Sequence, residues 1–198
     1  MLDKITGVYL KPAEAMAEVA KNPSPKAQIL AHTLANSVLL NWWIALLFLQ
    51  IGISTVADFL FLAFYLLVIT AFTAFAILGI EWVAHKAAAS KGGKGTYWQQ
   101  LAITNLYLTP LFVVFSAAIT VLVMVFPNLN VRMPLDLMVA IMASRMNTKK
   151  ISAVHGIKDS LPDIAYGIGM LVAYVVWTLL IASPIIIVAL LGYSVDQL

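Results

Sequence analysis

The chain has 198 residues, of which 62% are apolar and only 11% charged, and its mean hydropathy of +0.95 lies outside the range of soluble domains. The absence of Cys excludes disulfides, Fe–S clusters and thiolate metal sites. The net charge of +3 would hint at nucleic acid in a soluble protein, but the basic residues here cluster between apolar runs, so the expected partners are the lipid bilayer and its anionic headgroups, with no nucleic acid.

Residues 1–33 read as a cytosolic or interfacial N-terminal segment without the apolar core of a cleavable signal, so the first span is expected to serve as an uncleaved anchor. Within it, Pro12 to Ala20 predicts a short helix, since proline suits a first helical turn and Leu10, Ala13, Met16, Val19 and Ala20 approximate one face. The helix should stop near Asn22, ahead of Pro23 and Pro25. It either lies in the membrane interface, with Lys4, Lys11, Lys21 and Lys26 near headgroups, or packs on the loops of its own bundle.

Residues 34–198 read as a single transmembrane helical bundle. Leu34 to Ile53 predicts the first span, about 30 Å long as helix, and Phe59 to Ala84 the second. A polar loop follows, with Lys91 and Lys94 around a glycine-rich stretch. Leu101 to Phe126 is the third span and contains Pro110; Ile164 to Leu191 is the last and contains Pro184. Between them, Leu129 to Ser144 is short and carries Arg132, Pro134 and Asp136, with Arg132 and Asp136 placed to pair one turn apart.

Charge placement decides the count. If Leu129 to Ser144 crosses, eleven of the twelve Lys and Arg residues, including Lys149 and Lys150, fall on one side and only Arg132 on the other, as the positive-inside tendency requires. The predicted fold is therefore all-α: a polytopic bundle of five spans, the fourth short or tilted, with the N-terminus cytoplasmic and the C-terminus outside. A re-entrant fourth segment is the alternative.

Inside the spans the sequence shows uncharged polar residues, chief among them Asn41, Thr73, Asn105 and Thr109, which suit interhelical hydrogen bonds; Asp58 and Glu81 fall at span edges. Ala165, Gly169 and Ala173 form a smooth stripe on the last span, suited to packing within the bundle or to oligomerisation. His32, His85 and His155 all fall at the inner edge but lack metal-ligand spacing, so no metal or cofactor is expected. Gly92-Gly93-Lys94-Gly95-Thr96 lacks the order of a phosphate loop and reads as a flexible connection. Ser54 has no His partner for catalysis, and no catalytic residue is expected.

Three segments together resemble the Yip family of Ypt/Rab-interacting membrane proteins. They are Pro12 to Pro23, the loop and third span from Gly92 through Tyr107 to Pro110-Leu111, and Lys150-Ile151-Ser152-Ala153-Val154-His155-Gly156. The resemblance implies a five-helix integral membrane protein with a cytosolic N-terminus, in a short prokaryotic branch residing in the plasma membrane. Eukaryotic relatives act in vesicle trafficking, bind small GTPases and form membrane hetero-oligomers. The expected function is that of a non-enzymatic organiser or scaffold, in trafficking or envelope organisation. The alternatives are a small transporter or channel for a neutral or lipophilic solute, and an accessory subunit of a larger membrane complex.

Overall fold

A computed structural model describes residues 7, 9–51, 55–125 and 132–190, without the side chains of 47–51, 123, 132–140 and 184–190. The expected Arg132–Asp136 pairing lies outside the side chains described, as does Lys4. The described residues form six helices and no strand: α1 Pro12–Lys21, α2 Lys26–Ile51, α3 Val56–Ser90, α4 Tyr97–Val125, α5 Arg132–His155 and α6 Leu161–Leu190. Among them, four contain stretches long and apolar enough to cross a membrane: Lys26–Leu46, Val56–Ser90, Tyr97–Leu122 and Leu161–Ser183.

Local chemistry explains the helix ends. Pro12 opens α1, and the Asn22 amide closes it by donating to the Glu18 carbonyl before Pro23. Thr55 and Asp58 form a reciprocal capping box at the start of α3, each backbone amide donating to the other's side chain. Thr96 and Gln99 do the same at the start of α4. Gly156, at φ +68°, terminates α5 in the left-handed conformation that glycine adopts without a Cβ penalty, its amide donating to the Ser152 carbonyl.

Two boundaries differ from those expected. The border at 33/34 falls inside α2, because Gln28, His32 and Thr33 continue the helix of the first span rather than forming a lead into it. The polar stretch after Ser144 is likewise helical, since α5 runs unbroken to His155.

Helix α3 packs most extensively on α6, and α2 on α4 and α3, while α5 is held by α1, α4 and α6. Helix α1 lies against α4 and α5, burying Met16 and Ala20, and Gln99 donates to the Ala20 carbonyl. Its contact face is Ala15, Met16, Val19 and Ala20; Leu10, expected on that face, is 81% exposed. The main apolar core runs along α4 through Ile103, Tyr107, Leu108, Phe112, Phe115 and Ile119. The periphery is equally apolar. Phe59, Phe64, Leu67 and Phe75 of α3 and Leu171, Val172 and Leu179 of α6 are all exposed, and only 6% of the most apolar stretch of α6 is buried. So continuous an uncovered apolar surface is stable in hydrocarbon and not in water.

Candidate functional site

Helix α3 has 35 residues and is about 52 Å long, well beyond the hydrocarbon thickness of about 30 Å, so its C-terminal turns reach past the apolar part of the bundle. Glu81 lies in these turns and is 1% exposed. A lone carboxylate there is costly to bury unless every oxygen is paired. Here each one is. The Lys150 ammonium of α5, itself 0% exposed, lies 2.6 Å from Glu81 Oε1 and 2.7 Å from Oε2. The Thr104 hydroxyl of α4 donates to Oε1 at 2.8 Å, and the Gln100 amide donates to Oε2 at 2.7 Å and to the Glu81 carbonyl at 2.8 Å.

The remaining faces of Lys150 are covered by Thr104 Oγ1 at 3.0 Å and by the rings of Tyr166 and Tyr107, whose centroids lie 4.8 and 6.0 Å away. Tyr166 brings in α6, so four helices meet at one neutral pair. Burial pulls the Lys150 ammonium down from its ordinary value, and the Glu81 carboxylate pulls it back up. Whichever partner holds the proton, the net charge is zero. Alongside, Asn147 and Thr148 of α5 donate to the Asp163 carboxylate of α6 at 2.6 and 3.1 Å, fastening the same two helices again.

A relay leaves the pair on its other side. Both acceptors beside the Gln100 amide nitrogen belong to Glu81, so the Gln100 carbonyl oxygen is the atom facing His155, 2.9 Å from its Nε2. That contact requires a proton on Nε2. Burial, reinforced by the neighbouring His85 and Lys150, lowers His155 to about 4, so its neutral form carries that proton and leaves Nδ1 as a bare acceptor. The rings of His85 and His155 lie 5.3 Å apart.

Of the uncharged polar residues named from sequence, Asn41, Thr73 and Asn105 are buried and bonded across helices. Asn41 of α2 donates to Thr73 of α3 at 2.9 Å and accepts from the Trp177 indole of α6 at 3.1 Å. Asn105 of α4 pairs with Thr33 and Asn36 of α2 and donates to the Ile29 carbonyl. Thr109 instead bonds within its own helix, to the Asn105 carbonyl one turn below. This is the back-bond that a threonine makes to the carbonyl four residues earlier in its own helix; the carbonyl that Pro110 leaves without an amide is that of Leu106.

Of the cations expected at headgroups, Lys11, Lys21, Lys26, Lys91, Lys94 and Lys149 are exposed. Lys11 pairs with Glu14 and Lys91 with Asp159, while Lys26 lies over the Trp98 ring. Lys150 is the correction. It faces the bundle rather than headgroups, because the α5 register turns it onto Glu81 while its neighbour Lys149 faces outward. The glycine-rich connection is also corrected. It is docked, with the Lys94 amide reaching the His155 carbonyl, and Gly93 and Gly95 lie so close to the α5 terminus that a Cβ at either would collide with it. The small-residue stripe lies against α3, where a Cβ on Gly169 would be 3.1 Å from Ile80, and Ala165, Gly169 and Ala173 line an apolar groove of about 540 Å³ between α3 and α6.

Sequence reasoning missed Gln100, Thr104, Tyr107 and Tyr166, and treated Glu81 as an edge residue. One signal was available: Glu81 is an acid directly after the long apolar run of α3, which calls for a basic partner on another helix. Neither a protein-family model, nor a curated protein, nor a solved structure matches the chain. Fold and site define a helical bundle suited to a membrane, pinned at one end by a buried neutral ion pair.

Proposed function

We propose that this chain is a non-enzymatic, multi-pass membrane organiser of Yip type, acting as a scaffold that associates with further copies or partners through its transmembrane helices. It resides in a prokaryotic plasma membrane, with its N-terminus cytoplasmic, five passes, and the fourth supplied by the N-terminal part of α5. The observation that carries the proposal is how the polar groups are used. Asn41, Thr73, Asn105, Glu81 and Lys150 are all engaged by other helices, and the surface left for external contact on α3 and α6 is apolar.

Such a distribution suits a body that acts by shape and association within the bilayer. The groove between α3 and α6 contains none of Asn41, Thr73, Asn105 and Thr109, which weighs against a polar solute path. The exposed Leu10, next to the exposed Lys11 just ahead of α1, supports a headgroup position for the start of that helix.

The test is reconstitution of the purified protein into liposomes containing anionic lipid. Expected are cross-linked oligomers within the bilayer and altered vesicle diameter by cryo-electron microscopy, with no saturable flux of small neutral solutes. A strictly monomeric protein that leaves vesicle shape unchanged, or one that carries a solute saturably, would overturn the proposal.

A further inference from the structure

His85 of α3 and His155 of α5 are brought together beside the loop that joins α3 to α4, although 70 residues separate them in sequence. The Nδ1 atoms of both are buried and have no hydrogen-bond partner. Buried polar atoms are normally satisfied, and a pair of unsatisfied imidazole nitrogens on adjacent rings points to a shared guest.

Three features identify its chemistry. First, the Glu81–Gln100–His155 relay fixes the proton on His155 Nε2 and therefore presents Nδ1 as a lone pair, the form in which imidazole binds metals. Second, a metal-binding histidine characteristically donates its other ring N–H to an oxygen that is itself held in place, and Gln100, anchored twice by Glu81, is such a partner. Third, two imidazoles bound at about 2.0–2.1 Å with a tetrahedral angle at the ion have ring centroids about 5 Å apart, and these two are 5.3 Å apart.

Gly93 completes the setting. A Cβ there would lie 2.9 Å from His155 Nδ1, so glycine at this position keeps a side chain from occupying the space beside that nitrogen. We propose that His85 and His155 form a two-histidine site for a borderline transition-metal cation such as Zn²⁺, with water completing the coordination. Among the described residues no cluster of three or more His, Asp or Glu ligands exists, so the two imidazoles would be the protein's ligands to the ion. The bound ion would tie the end of α3 to the end of α5 next to the ion pair that already joins them.

The experiment uses the full chain in mild detergent, tag-free and stripped with EDTA, titrated calorimetrically with Zn²⁺ and spectroscopically with Co²⁺. Expected are one saturable Zn²⁺ per chain and a visible Co²⁺ absorption band of tetrahedral intensity. His85→Asn and His155→Ala should each weaken Zn²⁺ binding at least tenfold, and His32→Ala, on α2, should leave it unchanged. His155 is packed and bonded, so its replacement can disturb folding. His85 is only half-buried, and circular dichroism of His85→Asn separates lost binding from lost fold. The proposal is overturned if the native chain shows no saturable uptake, or if folded His85→Asn binds Zn²⁺ as tightly as the native chain.

Discussion

At the residue scale, the Glu81–Lys150 pair holds α3, α4, α5 and α6 together through bonds that no single helix can satisfy alone. Two opposite charges taken out of water give little net stability, but removing one strands the other, at a cost of about 3–5 kcal/mol. Glu81→Gln and Lys150→Met are therefore each expected to lower stability by about that amount in thermal or denaturant unfolding followed by circular dichroism. The double variant should recover most of the loss, because no buried charge is left unpaired. Losses below about 1 kcal/mol for the single variants, or a double variant whose loss is their sum, would show that the pair is not the buried unit described.

At the element scale, the ends of α3 and α5 meet through the glycine-rich connection rather than through side chains alone. Gly95 lies against the Val154 side chain and carbonyl so closely that any Cβ would push into backbone, whereas Gly79 has nothing near the equivalent position. Gly95→Ala should thus separate the loop from α5 and cost about 1–3 kcal/mol, in keeping with overpacking against an unyielding neighbour. Gly79→Ala should be neutral or slightly stabilising, since alanine is the better helix former. Hydrogen exchange at the 91–96 loop is the sharper measurement: faster exchange is expected in the first variant and none in the second. The polar bonds between α2, α3 and α4 are individually weaker, averaging about 0.6 kcal/mol in membrane bundles, so they select helix partners more than they stabilise them.

At the scale of the whole molecule, the proposed topology separates the two chain ends. The native chain has no Cys, so single cysteines report cleanly. Ser152→Cys is expected to be labelled by an impermeant maleimide only from the cytoplasmic side, and Asp196→Cys only from outside. Labelling of Ser152→Cys only from outside, with Asp196→Cys labelled only from the cytoplasm, would leave an even number of crossings and remove α5 from the set of spans, whereas labelling of both from one side would remove α6.

Much of the architecture was legible without coordinates. Hydropathy is summed along the chain, so the four helices long and apolar enough to cross a membrane and the helix of residues 12–21 follow from local sequence, as do the proline, threonine and glycine signals at their ends. The interhelical role of Asn41 and Asn105 was legible too, since an amide in hydrocarbon must find a partner. What only the tertiary structure decided was pairing and facing. Lys149 and Lys150 are adjacent and chemically alike, yet one is exposed and the other buried against a carboxylate 69 positions away. A helix turns about 100° per residue, so a single step along α5 exchanges an exposed position for a buried ion pair, and only the packing of α5 on α3 and α4 sets which lysine turns inward.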